Sequence, residues 1–207
     1  MPTSPMSDLL DGVNSELLPL DEYFLDFDRD FWSIEEGDFW KLERQQHFRE
    51  PGDDSWRAFA EGNWSEALRL LEARRDDLAD YYGKVAAHGF ATYRVRVVEP
   101  PIIPYLQWEL HLLRARERAG ALIRVVGPDK IAELESDGLV PEFATLGSTV
   151  LYEPVYDEDG VLCAGRRFRD RGLVERCRLL TRALYDEGEP LASFFDREVS
   201  PLPPPRP

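Results

Sequence analysis

The chain has 207 residues, of which 43% are hydrophobic and 12% aromatic, and a formal net charge of −15. That is enough for one domain with a real core, or one domain with an appendage. The acidic balance argues against nucleic-acid binding by the surface as a whole, because such binding draws on basic groups that displace counterions.

The first stretch, to about residue 38, is acidic and aromatic: "LLPLDEYFLDFDRDFWSIEEGDFW". Residues 1–54 carry 15 acids and only 4 bases. Short apolar pairs recur between the acids with no clean helical or strand period. Two readings stand together here: an arm that docks on the body or on a partner, and an ordinary helical layer. Next, "EPGDDS" is turn chemistry, and Asp54 or Ser55 is placed to cap a short helix that Gly62 ends. Asn63, with Glu66 three residues on, then opens a long helix. Trp64, Leu68, Leu71, Leu78, Tyr82 and Val85 form its apolar stripe, which reads as core. "HG" at 88–89 stops it.

"FATYRVRVV" over 90–98 is strongly β-prone. A helix from Pro104 to Ala119 follows, with proline where its missing N–H costs nothing. A strand over 121–126 completes a β–α–β unit whose crossover implies parallel pairing. A short helix opened by Asp129 is next, then strands at about 142–146, 149–156 and 161–168. The "DEDG" turn makes the last two a hairpin. A basic-sided helix, a short second helix and an extended "PLPPPRP" tail close the chain. The predicted architecture is α/β (α+β): a central mixed sheet of about five strands with flanking helices, preceded by a helical N-terminal layer. The expected divisions are an acidic aromatic arm over 1–38, a helical layer over 39–88, the α/β domain over 89–197 and the proline-rich tail over 198–207.

The site chemistry is sparse. The chain has no GxSxG elbow, no GxxxxGK[ST] loop and no GxGxxG. His47, His88 and His111 are scattered, with no zinc-ligand spacing. No catalytic residue, metal or cofactor is therefore expected. One constellation stands out. Arg94 and Arg96 share a strand face, and on the following helix Tyr105 and Glu109 lie one turn apart. If the helix covers that face, Glu109 meets an arginine in a structural ion pair. If the face is open, two arginines and a tyrosine hydroxyl form an anion pocket. A second candidate is the set Phe24, Phe27, Phe31 and Trp32, aromatics ringed by acids as at protein interfaces.

Cys163 and Cys177 have no CxxC spacing, so a disulfide framework is not expected and a reduced, cytoplasmic compartment fits. The start "MPTSPMSDLLDG" lacks the basic and apolar regions of a signal peptide. No apolar run approaches the roughly 18 residues of a membrane span.

Four phrases, "FWKLERQQHFREPGDDSW", "YRVRVVEPPIIPYLQWEL", "LGSTVLYEPVYDEDGVL" and "SFFDREVSPLPPP", together resemble an actinobacterial family of uncharacterised proteins, of the domain of unknown function 6879 type. The resemblance runs from about residue 37 to 203. Members are often encoded beside helix-turn-helix regulators, which implies a role in a regulatory pair. The order of elements over 90–187 also resembles half of a phospholipase D-type domain, a fold found in some transcriptional regulators. That superfamily's HxKxxxxD signature is missing, since the histidines here read "HFR", "HGF" and "HLL". The resemblance implies a shared fold without the active site, with Arg94 and Arg96 kept for ligand sensing.

Two functions follow as expectations. The first is a non-enzymatic, cytoplasmic regulatory or adaptor protein whose acidic N-terminal face binds a protein partner such as a helix-turn-helix regulator, with no direct contact to nucleic acid or membrane. The alternative is a sensor or hydrolase for a phosphorylated or anionic small molecule, centred on Arg94, Arg96, Tyr105 and Glu109.

Overall fold

A computed structural model describes residues 9–136 and 138–206; the first eight residues of the expected arm and the last of the tail lie outside them. Its strands are β1 (Ser15–Pro19), β2 (Phe39–Glu43), β3 (Thr92–Val97), β4 (Leu122–Val126), β5 (Phe143–Leu146), β6 (Val150–Tyr156), β7 (Leu162–Phe168) and β8 (Glu189–Pro190). Among the described residues they form one mixed sheet in the order β1-β7-β6-β5-β2-β3-β4-β8. The β3 and β4 strands pair in parallel across the helix α5 (Pro104–Ala119), and β6 and β7 form the antiparallel hairpin.

The sheet overturns the expectation of about five strands behind a helical N-terminal layer. The N-terminal residues enter the sheet instead. β1 lines the edge of β7, and β2 lies in the middle, parallel to β3 and antiparallel to β5. The physical reason lies in "FWKLE". Its alternation puts Phe39, Lys41 and Glu43 on one face and Trp40 and Leu42 on the other. A strand with two charges on one face does not read as central. Here the charges are matched by the neighbouring strand, which the local pattern cannot reveal.

Helix α1 (Leu20–Trp32) lies on the charged face of the sheet and presents Tyr23 and Phe31 inward. Tyr23 sits on Gly165 of β7, where a Cβ would overlap its ring. The same face carries α5, which packs Leu106, Leu110 and Leu113 against Ile123 and Val125 of β4. The opposite face is covered by α6 (Arg171–Glu187), whose Leu173, Val174 and Cys177 pack on Leu42, Val95 and Val97. Both cysteines are free, Cys163 exposed and Cys177 buried.

The single long helix expected after Asn63 is two: α3 (Trp64–Ala73) and α4 (Arg75–Ala87). They are preceded by α2 (Asp54–Ala60), whose cap is Asp53 rather than Asp54 or Ser55. Asp53 Oδ1 accepts from the backbone N–H groups of Ser55 and Trp56 at 2.8 and 3.1 Å. The same carboxylate accepts two hydrogen bonds from Arg74, at 2.6 and 2.8 Å. Arg74 is the residue at which α3 ends and α4 begins, so one carboxylate caps a helix and anchors the break between two others. In place of the short helix expected to open at Asp129, the described residues form a 3-10 turn, Pro128–Lys130, followed by further turn. The proline tail folds back on α5, where the Gln107 side chain donates to the Pro203 carbonyl at 2.9 Å.

Candidate functional site

Parallel pairing of β2 with β3 sets Lys41 beside Arg94 and Glu43 beside Arg96. All four side chains therefore leave the same face of the sheet. α5 crosses above them with Tyr105, Glu109, Leu112 and Arg116. Charge on two neighbouring strands is thus stacked under a helix that supplies Glu109 as the counter-charge of Arg96, while Glu43 on β2 serves Lys41 and Arg94.

The ion pairs are internal. Arg96 is 0% exposed, and its Nε and Nη2 lie 2.8 Å from Glu109 Oε2. Its Nη1 donates to the Val97 carbonyl at 3.1 Å. Arg94 pairs with Glu43 Oε2, and Lys41 Nζ lies 2.6 Å from Glu43 Oε1. The Tyr105 hydroxyl donates to Glu50 Oε1 at 2.7 Å. All four residues expected to form an anion pocket are thus engaged with protein, and of them Arg94 alone lines both cavities described below.

These contacts set the proton affinities. Burial works against ionising Glu43, but Arg94, Lys41 and Arg96 outweigh it and hold the carboxyl well below the usual range. Burial pushes Glu109 up to about 7, against the pull of Arg96 and with help from Glu43 and Glu50. Glu50 is also raised, chiefly by burial. The Tyr105 phenol is raised by burial and by Glu109 and Glu50.

Two cavities open onto this face. The larger, about 550 Å³, lies between α1, α4 and the sheet and is walled by aromatic side chains, including Phe27, Phe31, Tyr81, Tyr82 and Tyr152. The smaller, about 190 Å³, lies under α5 against Glu43, Glu50, Tyr105 and Glu109. Lys41, Arg94, Arg116, Tyr156 and Leu162 line both, so the two chambers meet at a basic neck. The cations lining the smaller chamber are Lys41, Arg49, Arg94 and Arg116, against the carboxyls of Glu43, Glu50 and Glu109. Lys41 and Arg94 hold Glu43, and Arg49 lies 3.9 Å from Asp159. The half-buried Arg116 side chain has no hydrogen bond or ion pair among the described residues. It is felt electrostatically by Glu50 and Tyr81. In the larger chamber the Thr92 hydroxyl is buried without a hydrogen-bond partner.

The aromatic set read as partner-facing is divided by the fold. Phe24 is 53% exposed, whereas Phe31 is buried and Phe27 and Trp32 are half-buried. Phe24, Phe27 and Phe31 line the larger chamber. Trp32 donates to Asp28 at 3.0 Å and packs edge-on against Tyr81. Reading the chain alone missed Lys41, Glu43, Glu50, Thr92 and Arg116. The signal for the first two was present: "FWKLE" and "TYRVRV" carry charge at the same alternate positions, and pairing them in parallel aligns those charges.

Among the described residues no group of three or more His, Cys, Asp or Glu is placed to hold a metal ion, and no helix is long and apolar enough to cross a membrane.

A family model for a domain of unknown function (DUF6879) matches residues 25–196. No curated protein matches. Solved structures similar in chain trace include TrmBL2, an archaeal chromatin protein with a novel mode of DNA binding. It has 9% identity and a TM-score of 0.40, over 87% of this chain and 55% of that one. The chain thus spans about half the length of that protein. Nuc, a phospholipase D family member from Salmonella typhimurium, has 8% identity and a TM-score of 0.46, over 86% of this chain and 97% of that one.

Proposed function

This chain belongs to the DUF6879 family, a domain of unknown function, and from its cavity we propose that it is a non-enzymatic regulatory protein that binds an anionic small molecule at the basic neck between the two chambers. The observation that carries the reading is Arg116, a half-buried guanidinium without a hydrogen bond or ion pair among the described residues, set where the chambers meet. An arginine so placed matches a carboxylate or phosphate with two parallel hydrogen bonds. Lys41 and Arg94 stand beside it and add to the field. The described lining of both chambers contains no serine, cysteine or histidine, and its carboxyl groups are tied to Lys41, Arg94, Arg96 or Tyr105. That supports binding over bond making. The earlier expectation of an anion site is kept, with its contacts moved from Arg96, Tyr105 and Glu109 to Lys41, Arg94 and Arg116.

Titration calorimetry with inorganic phosphate, pyrophosphate and sugar phosphates tests this. We expect binding that weakens about tenfold or more in Arg116→Ala, whose fold is unaffected because the side chain anchors nothing. Equal affinity in the variant, or no binding either by these anions or by the aromatic anions named below, removes the reading.

A second reading, a protein partner such as a helix-turn-helix regulator docked on the acidic N-terminal segment, is favoured by Leu25. It is 73% exposed on α1, beside Phe24 and among the exposed acids Asp21, Glu22 and Asp28. Deleting residues 1–38 would remove β1 and α1 from the fold, so a surface double variant, Phe24→Ser with Leu25→Ser, is the proper probe. Recovery of the same partners by wild type and variant in a pull-down would end this reading.

A further inference from the structure

We infer that the ligand is a flat aromatic ring, bearing hydrogen-bonding groups, joined to an anionic group, with the ring in the larger chamber and the anion at the Arg116 neck. This rests on the reading of the neck as an anion site, and it assigns the larger chamber, which that reading leaves unused.

Three observations carry it. The first is size. About 550 Å³ is far more than a phosphate or carboxylate fills, and it falls in the range of chambers that enclose a whole small molecule.

The second is the wall. Phe27, Phe31 and Tyr81 form a ladder of near-parallel rings, with centroids 6.2 and 6.0 Å apart and interplanar angles of 12° and 16°. Phe27 comes from α1 and Tyr81 from α4, so two separate elements supply the ladder. Aromatic faces and edges prefer another ring in offset or edge-on contact, which favours a planar guest over a branched or aliphatic one.

The third is Thr92. Thr92 lines the sheet side of the chamber, the residue is 9% exposed, and its buried hydroxyl has no hydrogen-bond partner. A buried hydroxyl left unpaired is costly, and a ligand atom that pairs with it recovers that cost on binding. A plain hydrocarbon ring offers no such atom, whereas a ring with nitrogen, carbonyl or hydroxyl groups does. The basic neck then selects the molecules in which that ring carries a negative group.

Titration calorimetry on the full chain with five probes tests the class: inorganic phosphate, ribose 5-phosphate, phenyl phosphate, 4-hydroxybenzoate and adenosine 5′-monophosphate. We expect at least one of the three ring-bearing anions to bind ten times or more tighter than ribose 5-phosphate. The phosphate and carboxylate arms tell which anion the neck prefers. Tyr81→Leu, on a partly exposed site, is expected to remove that preference and leave ribose 5-phosphate unchanged. Thr92→Val keeps the shape of the side chain. It is expected to weaken the polar rings and not phenyl phosphate. Should ribose 5-phosphate bind as tightly as every ring-bearing anion, the ring assignment is overturned while the anion site stands. If none of the five binds, both fall. If Tyr81→Leu and Thr92→Val both keep the full preference for ring-bearing anions, the ring sits elsewhere and the inference is lost.

Discussion

Arg96 on β3 and Glu109 on α5 form a closed, buried ion pair, with both guanidinium contacts at 2.8 Å to a single carboxylate oxygen. The pair joins the sheet to the helix that roofs the smaller chamber. Burying two charges costs solvation, which their mutual contact and the Arg96 hydrogen bond to the Val97 carbonyl offset.

Removing the carboxylate should therefore be severe. Glu109→Ala is expected to lower unfolding free energy by about 3–5 kcal/mol, because it leaves the buried Arg96 guanidinium without its counter-charge. Arg96→Ala is expected to cost less, because Glu109, already raised to about 7, then takes up a proton. The double variant Arg96→Met with Glu109→Leu should recover most of that loss. Urea unfolding of the four proteins measures both. A double variant as unstable as Glu109→Ala would contradict the account.

The pair also predicts a dependence on pH. The folded pKa of Glu109 is raised to about 7, above its ordinary 4.5. Such a group favours the fold fully below about pH 4.5, and that contribution is lost as pH rises through 7. Glu43, held low, does the reverse: its contribution is present above about 4.5 and is lost as pH falls. The stability of wild type relative to Glu109→Gln should therefore decline between pH 4.5 and 7, with a slope of at most about 1.4 kcal/mol per pH unit. Urea titrations at several pH values read that slope directly. A flat difference would show that the Glu109 pKa is not raised in the fold.

Asp53 has two tasks, capping α2 and holding Arg74 at the α3–α4 break. Loss of a cap alone costs about 1 kcal/mol, and a partly exposed ion pair adds up to about 1 kcal/mol. Asp53→Ala is thus expected to destabilise by about 2 kcal/mol, and Arg74→Ala by clearly less. Chemical denaturation that ranks the two in the opposite order would show that the cap is the lesser contribution.

At Gly165 a Cβ would overlap the ring of Tyr23. Overpacking of this kind costs about 1–3 kcal/mol. Gly165→Ala should lift α1 from the sheet, which amide exchange over residues 20–32 would report as faster exchange. Unchanged exchange there, with unchanged stability, would mean that α1 absorbs the methyl group without moving.

Much of the fold was legible locally. The β3–α5–β4 unit, the β6–β7 hairpin and α6 lie close to where alternation, proline placement and turn residues put them, because those signals act over a few residues. The places of β1 and β2 were not legible. β1 is a five-residue edge strand with one buried side chain, Leu18, too little to leave a pattern. β2 carries Lys41 and Glu43 inside the sheet, and a strand with charge on one face reads as surface until its neighbour is known. The site divides in the same way. Arg94, Arg96, Tyr105 and Glu109 were visible through helix and strand spacing. Lys41, Glu50, Thr92 and Arg116 come from four separate segments.

The amino-acid order by itself determined which residues alternate, where helices start and stop, and that two arginines share a face, since each depends on spacing along the backbone. Only the tertiary structure decided that Glu43 and Glu109 neutralise those arginines while Arg116 is left without an ion pair among the described residues. Charge is a property of a residue, but whether it is spent on a neighbour depends on strand order and helix placement, which are settled by contacts between distant segments.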